Sequence, residues 1–342
     1  MNTIIPRQLG MKVPEPIRVV FDTFPLRTYA PVLDKSTQND EHIFFFSKKG
    51  DSSTTEESEC FHLGVHKVNK SLVMDKMVFL PSDPIGLADC LILCHRHNLL
   101  LPRDAKDEKS VHSITELSYL ASPDNELPIL LEGKDAVAQK IVSSGEISKS
   151  VSNNYFSKNS QAFFINDYLD SLVDLWIFIL LVDIPQSHNP CSTYSSLFYQ
   201  DDQVKQSDSL LYLTTLKLIG EMANWNFFKK RYSYLFQQEK SIYSTISRIN
   251  KSNFLKAFAV CNETAFEKVY FEKLMDFERF LLMVMKYLEQ EQESEEKTII
   301  EIKLASFCFV FSLLKCQNTH IERLMKKYPE VIEFSERIIS RY

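Results

Sequence analysis

Glycine is scarce in this chain, with 7 in 342 residues. So few glycines leave little room for turns at positive φ or for a backbone that must approach a phosphate closely. The chain accordingly has no Walker loop, no Gly-x-Gly-x-x-Gly fingerprint, no zincin motif and no serine-hydrolase elbow. A basic excess is missing too: the net charge is −6, so nothing points to bulk phosphate or nucleic acid. The seven cysteines (60, 90, 94, 191, 261, 308 and 316) are odd in number and irregular in spacing. They read as reduced thiols of a cytosol-facing protein, not as a disulfide framework. Long apolar runs are also absent. The longest are residues 176–182 and 304–314, the second broken by Ser306 and Ser312, whereas a membrane span takes about 20 apolar residues. These runs are core helix segments, and any membrane association is expected to be peripheral. The start, Met1-Asn2-Thr3-Ile4-Ile5-Pro6, has neither the apolar region of a secretory signal nor an Arg-rich amphipathic presequence.

What is present suits a packed globular protein of one large or two ordinary domains. Apolar residues make up 44% and charged residues 25%, and phenylalanine is abundant at 25. Residues 1–16 carry three prolines and little periodicity, so they read as an arm. The stretch 18–31 holds Phe21, Phe24, Pro25, Leu26 and Tyr29 with Asp22, Arg27 and Thr28 between them. It is too aromatic for a free linker and too short for a domain, so its apolar groups must be buried either on this chain or on a partner.

From there the pattern turns to short strands. Phe44-Phe45-Phe46 and residues 61–68 suit a strand pair, and Val78-Phe79-Leu80 suits a first core strand. Asp83 followed by Pro84 is an N-cap and N1 pair, opening a helix to about His97 with Ile85, Ala88, Leu91, Ile92 and His95 at helical spacing. Residues 99–102 suit a strand, and 113–121 a short helix with Ser113 and Glu116 in capping-box spacing. Leu127-Pro128-Ile129-Leu130-Leu131 reads as a buried strand begun by proline, then come a turn, a second short strand and a helix from about Ser144. Such a Leu-Pro strand in a β-α-β-α-β-β-α order is how thioredoxin-like domains end, where the proline, here Pro128, is usually cis. The second half reads as all helix: 161–182, 209–228, 239–258, 264–290, 298–316 and 320–339.

Val20-Phe21-Asp22-Thr23-Phe24-Pro25-Leu26 with Thr28-Tyr29 closely resembles the N-terminal signature of the fungal metaxin-like receptor subunits of the mitochondrial sorting and assembly machinery. The resemblance continues through Leu63-Gly64-Val65, Asp83-Pro84, residues 91–94 and 99–102, Pro123-Asp124 and residues 127–133, and thins out beyond about residue 150. It implies a glutathione-transferase-like architecture, an N-terminal thioredoxin-like α/β domain followed by an all-helical bundle. The expected division is an arm and docking segment at 1–70, the thioredoxin-like domain at 71–155 and the helical domain at 156–342. It also implies a non-enzymatic peripheral subunit on the cytosolic face of the mitochondrial outer membrane. Its partners would be a β-barrel insertase, a second metaxin-like subunit and β-barrel precursors, with no cofactor and no nucleic acid. Partner docking is expected from Phe21, Asp22, Phe24, Pro25, Leu26, Thr28 and Tyr29, whose buried aromatics between polar groups have the composition of an interface hot spot.

Three constellations invite other chemistry. Cys90, Cys94 and His97 share a helix face at i, i+4 and i+7. Structural zinc sites draw four ligands from separate turns, so core thiols are the reading that fits. Asp167, Asp170 and Asp174 form an acidic stripe opposite the apolar residues 169–180, which reads as the wet side of a helix or as a surface for a basic partner. A divergent glutathione transferase, the alternative function, needs an activated hydroxyl or thiol at the start of the first thioredoxin-like helix. Only Ser82 stands there, beside Asp83, and just before the third helix Ser144 keeps a serine while Ser143 replaces the acidic or glutamine residue expected next to it.

Overall fold

In a computed structural model, the described residues are 42–49, 60–103, 111–118, 121–122, 126–133, 140–156, 159–199, 215, 219, 225–236, 263–314 and 319–342. The expectations for the segment 21–29, for Pro123-Asp124 and for a helix at 239–258 lie outside them, as does most of the one at 209–228. The fold is mixed α/β, with a sheet region toward the N-terminus and a helical region after it.

Strand β3 (Cys60–Val65) is the spine of the sheet region. Phe61, Leu63 and Val65 alternate along it and are buried, the period-2 pattern of a strand packed on its faces. Its neighbours are β7 (Ser113–Glu116), which runs parallel, and β8 (Ile129–Gly133), which runs antiparallel. With β1 (Ile43–Phe45) beyond β7 and β9 (Lys140–Val142) beyond β8, the order is β1-β7-β3-β8-β9. Gly64 belongs here because a Cβ would collide with Leu117 and crowd Ile129. The Leu127–Pro128 bond that leads into β8 is cis, as expected of Pro128.

Four readings need correction. Residues 78–80 are not a first core strand of this sheet: they lie in β5 (Lys76–Pro81), which among the described residues pairs with β4 (Val68–Val73) as a separate two-stranded hairpin, Phe79 N–H also donating to the Pro102 carbonyl. The central role falls to β3, which pairs with both β7 and β8, and Phe44–Phe46 is separated from it by β7 instead of pairing with it. Residues 113–116 form a strand and not the start of a helix; the β-branched Ile114 and Thr115 favour the pleated surface over a helix turn. The expected helix at 320–339 is two, α8 (His320–Lys327) and α9 (Pro329–Ser340), because Pro329 cannot continue the first and starts the second. A further small ladder joins β2 (Ser47–Lys48) to β6 (Leu99–Leu100).

Helix α1 (Pro84–His97) connects β5 to β6. Asp83 caps it by accepting Gly86 N–H at 2.7 Å, Pro84 sits at its first turn, and Asn98 at φ 51° ends it. Leu87, Cys90, Leu91 and Cys94 are fully buried. The same helix packs against α7 (Glu295–Leu313), which is buried along almost its whole length. Around α7 stand α3 (Ser160–Phe178), extended by a wider turn at Ile179–Asp183 that Pro185 follows, and α8 and α9, while α6 (Glu263–Gln290) packs on α3 and sets Phe277 against Phe311 of α7. The shorter helices are α2 (Ser144–Tyr155), α4 (Pro190–Phe198) and α5 (Trp225–Arg231). The far end of the chain returns to the sheet region: Leu101 N–H donates to the Tyr342 carbonyl at 2.7 Å. Among the described residues no helix is long and apolar enough to cross a membrane.

Candidate functional site

The N-terminal ends of α1 and α2 are where a thioredoxin-like chain would hold a thiol substrate. Ser82, just before α1, is buried and its Oγ donates to the Leu197 carbonyl at 2.9 Å. That hydroxyl is engaged in fixing the turn to α4. Ser144 opens α2 and is buried on a cavity of about 220 Å³ bounded by α1, α2, α3, α5 and α7, whose other walls include Asp89, Glu126, Phe227, Lys303 and Phe307.

The electrostatics of this cavity come from Asp89 and Lys303. Asp89 is buried, and its Oδ2 has no hydrogen-bond partner among the described residues. Burial pushes its carboxyl up to about 7, partly opposed by Lys303. Lys303 is itself buried on α7, and its Nζ donates to Asn166 Oδ1 and Asp170 Oδ1, both at 2.6 Å. The arrangement can exchange a proton near neutrality beside a fixed ammonium. It supplies no activated sulfur: Cys90, on the same helix, is held protonated by burial and by its neighbour Cys94.

The other two constellations dissolve in the same way. Cys90 and Cys94 point into the core, whereas His97 turns to the sheet, 4.9 Å from the Phe61 ring and 5.6 Å from the His112 ring. Among the described residues no three metal-ligating side chains converge. The acidic stripe is not one wet face, which corrects that reading. Asp167 is exposed, but Asp170 holds Lys303, and Asp174 is buried, accepting from Arg231 Nε at 2.9 Å and from the Tyr232 hydroxyl at 3.2 Å. Burial of partnered carboxylates between helices leaves no period in the sequence that distinguishes them from solvated ones.

A larger cleft, of about 700 Å³, lies along the hairpin β4–β5. Asn69 and Leu72 of β4 line one side, and Leu197, Val310, Leu313 and Leu314 the other. The base of the hairpin is tied down: Lys67 Nζ donates to the carbonyls of Ser195, at 3.2 Å, and Tyr199, and Val68 N–H to Glu116 Oε1 at 2.7 Å. Its far end is not. Leu72 is 60% exposed, Met74 54% and Met77 42%. Sequence reasoning passed over these three because it placed residues 78–80 in the main sheet. The available signal was the apolar Leu72, Met74 and Met77 close around the polar pair Asp75-Lys76.

Of the expected site residues, Pro128 stands in the cis bond at the entrance to β8, and Phe21, Asp22, Phe24, Pro25, Leu26, Thr28 and Tyr29 lie outside the described residues. Residues 11–132 match the family described as SAM35, subunit of the SAM complex. The chain is also similar to the Sorting assembly machinery 35 kDa subunit of Saccharomyces cerevisiae, with 34% identity over 151 residues. That alignment takes in 41% of this chain and 45% of the yeast protein, so the chain spans less than half the length of the curated relative it matches.

Proposed function

We propose, from the match of residues 11–132 to the SAM35 family, that this chain is a non-enzymatic subunit of a mitochondrial outer-membrane sorting and assembly machinery. In this reading it lies peripherally on the cytosolic face. It recognises the sorting signal of β-barrel precursors and promotes their insertion, held by a β-barrel insertase and a second metaxin-like subunit. The observation that carries the reading is the family match, which spans both the segment 21–29 and the whole stretch from β1 into β8. Against a transferase stands the Ser82 hydroxyl, engaged by Leu197.

The same reading includes a glutathione-transferase-like fold. Its support is the run β7-β3-β8-β9, with one parallel and two antiparallel pairings, α1 between β3 and β7 in the chain, a cis proline before β8, and helices thereafter. The thioredoxin-like part then begins at β3, before residue 71, and the helical domain follows from about residue 156.

The docking segment is assigned to the barrel subunit. Phe21, Phe24 and Tyr29 are anchors of the kind whose truncation costs about 2 kcal/mol or more each, and Pro25 pre-extends the segment, lowering its ordering cost. Replacing Phe21, Phe24 and Tyr29 together by Ala is expected to abolish copurification with the barrel while the melting temperature stays nearly unchanged. A triple variant that unfolds, or that remains fully bound, would make the segment core or bystander and remove this assignment.

A further inference from the structure

The tip of the β4–β5 hairpin is built against the ordinary rules of a turn. Met74 and Asp75 both have positive φ, 43° and 66°, the pair of conformations that a two-residue hairpin turn demands and that asparagine and glycine adopt at least cost. A methionine there is strained, and its side chain is left 54% exposed. Among the described residues the side chain is neither in the core nor packed against it.

The register adds a second observation. Leu72 faces Met77 across the two strands, and Lys70 faces Phe79 one step further from the turn on the same face. Lys70 Nζ lies 5.8 Å from the Phe79 ring. The tip thus presents three flexible, unbranched or singly branched apolar side chains, with Lys70 immediately behind them and Lys76 beside the turn. Asp75 is the single acid between residues 68 and 82, against Lys70 and Lys76, in a chain whose net charge is −6.

We propose that this tip is a lipid contact: Leu72, Met74 and Met77 enter the headgroup region of an anionic bilayer while Lys70 and Lys76 meet its phosphates. The geometry favours a bilayer over a protein partner. Stable protein interfaces bury on the order of 1,000 Å² or more, which three side chains at the end of a two-stranded ribbon do not provide. A shallow wedge of apolar groups with cations one step behind is what an interfacial anchor needs, and lysine stems extend along apolar surface with the charge held back in water. The proposal goes beyond docking on a barrel. It rests on that reading only for a membrane being within reach.

The test uses the purified full chain and flotation with vesicles, either phosphatidylcholine mixed with phosphatidylglycerol or phosphatidylcholine alone. Binding is expected to the anionic vesicles, weakened by added salt and by omission of the anionic lipid. Leu72→Ser, Met74→Asn and Met77→Ser together should lower binding about tenfold, in keeping with loss of the buried apolar groups. Met74→Asn alone, which suits the turn, should raise the melting temperature while lowering vesicle binding, and it serves where the triple variant fails to fold. Equal flotation with and without the substitutions, or no flotation with either vesicle, overturns the proposal. So does a triple variant that loses its barrel partner when the wild type binds no vesicle, because the tip is then a protein contact. None of these outcomes touches the copurification test of the segment 21–29, so the two readings fail separately.

Discussion

The sheet region and the helical region bury ionisable side chains by different means. In the sheet region they are mainly histidines, with Lys67 the exception, its ammonium held by backbone carbonyls. His112 is buried, with Phe61 N–H donating to its Nδ1 at 3.2 Å, and burial together with His97, His62 and Lys48 brings it down to about 4. Burial lowers His62 and His66 as well. In the helical region the buried charges are lysine, arginine and carboxylates, and most come in pairs, Lys303 with Asp170, Arg341 with Glu301 at 2.9 Å and Arg231 with Asp174, while Asp183 is held by backbone N–H groups. The difference follows from the side chains themselves. An imidazole can give up its proton and enter the core neutral, whereas a guanidinium cannot and an ammonium does so only at high cost, so each brings a counter-charge. One region should therefore respond to pH and the other to the loss of a partner.

Lys303→Met tests the paired region where the effect should be largest. It removes the ammonium that donates to Asn166 Oδ1 and Asp170 Oδ1 and that offsets the burial of Asp89, and should cost about 3 kcal/mol in urea unfolding. A cost below about 1 kcal/mol would mean the pair is not what makes that burial tolerable. His112 tests the other region. Its folded-state value lies below the ordinary 6.5, so between about pH 4 and 6.5 the unfolded chain binds the proton that the folded chain refuses. The stability it contributes is present above that window and is lost as the pH falls through it. Against His112→Gln, the wild type should lose on the order of 1–2 kcal/mol between pH 7 and 4.5; parallel pH curves for the two proteins would break the contrast. The smallest effect belongs to the exposed pair Lys326–Glu322, 2.7 Å apart on α8. Lys326→Ala should cost only about 0.3–0.5 kcal/mol and fade with salt, and a larger value would show that exposed and buried pairs are not as different as argued.

The sequence carried some of these elements plainly and hid others. Asp83-Pro84 announced the start of α1, because a cap and an N1 proline act within one turn. Leu127-Pro128 announced β8 for a similar reason: what proline lacks is local. The position of a strand within a sheet is not local. Residues 78–80 and 61–65 are both short, apolar and rich in β-formers, and only the pairing partners separate a hairpin from a central strand. Ser113 and Glu116 had capping-box spacing, but Glu116 instead accepts from Val68 N–H and pairs with His42 at 2.8 Å. The cavity around Asp89 and Lys303 was invisible, since the two residues are 214 positions apart and neither sits in a motif. Asp183 was hidden likewise: it caps α8 by accepting His320 N–H at 3.0 Å and Ile321 N–H at 2.9 Å, a cap supplied from 137 residues upstream.

The packing of α1 against α7 bears on the order in which the chain can be completed at the ribosome. One wall of the buried helix that follows β5 is made by residues 295–313, and Leu101, just after the next strand, donates a hydrogen bond to the Tyr342 carbonyl. Through most of its synthesis the sheet region therefore carries an uncovered apolar helix face, the kind of surface that holding chaperones bind. Contacts over such separations also slow the final step, because loop closure must precede their reward. The nascent chain is thus dependent on shelter until its last helices emerge, and a fragment ending near residue 155 would stay in that condition permanently.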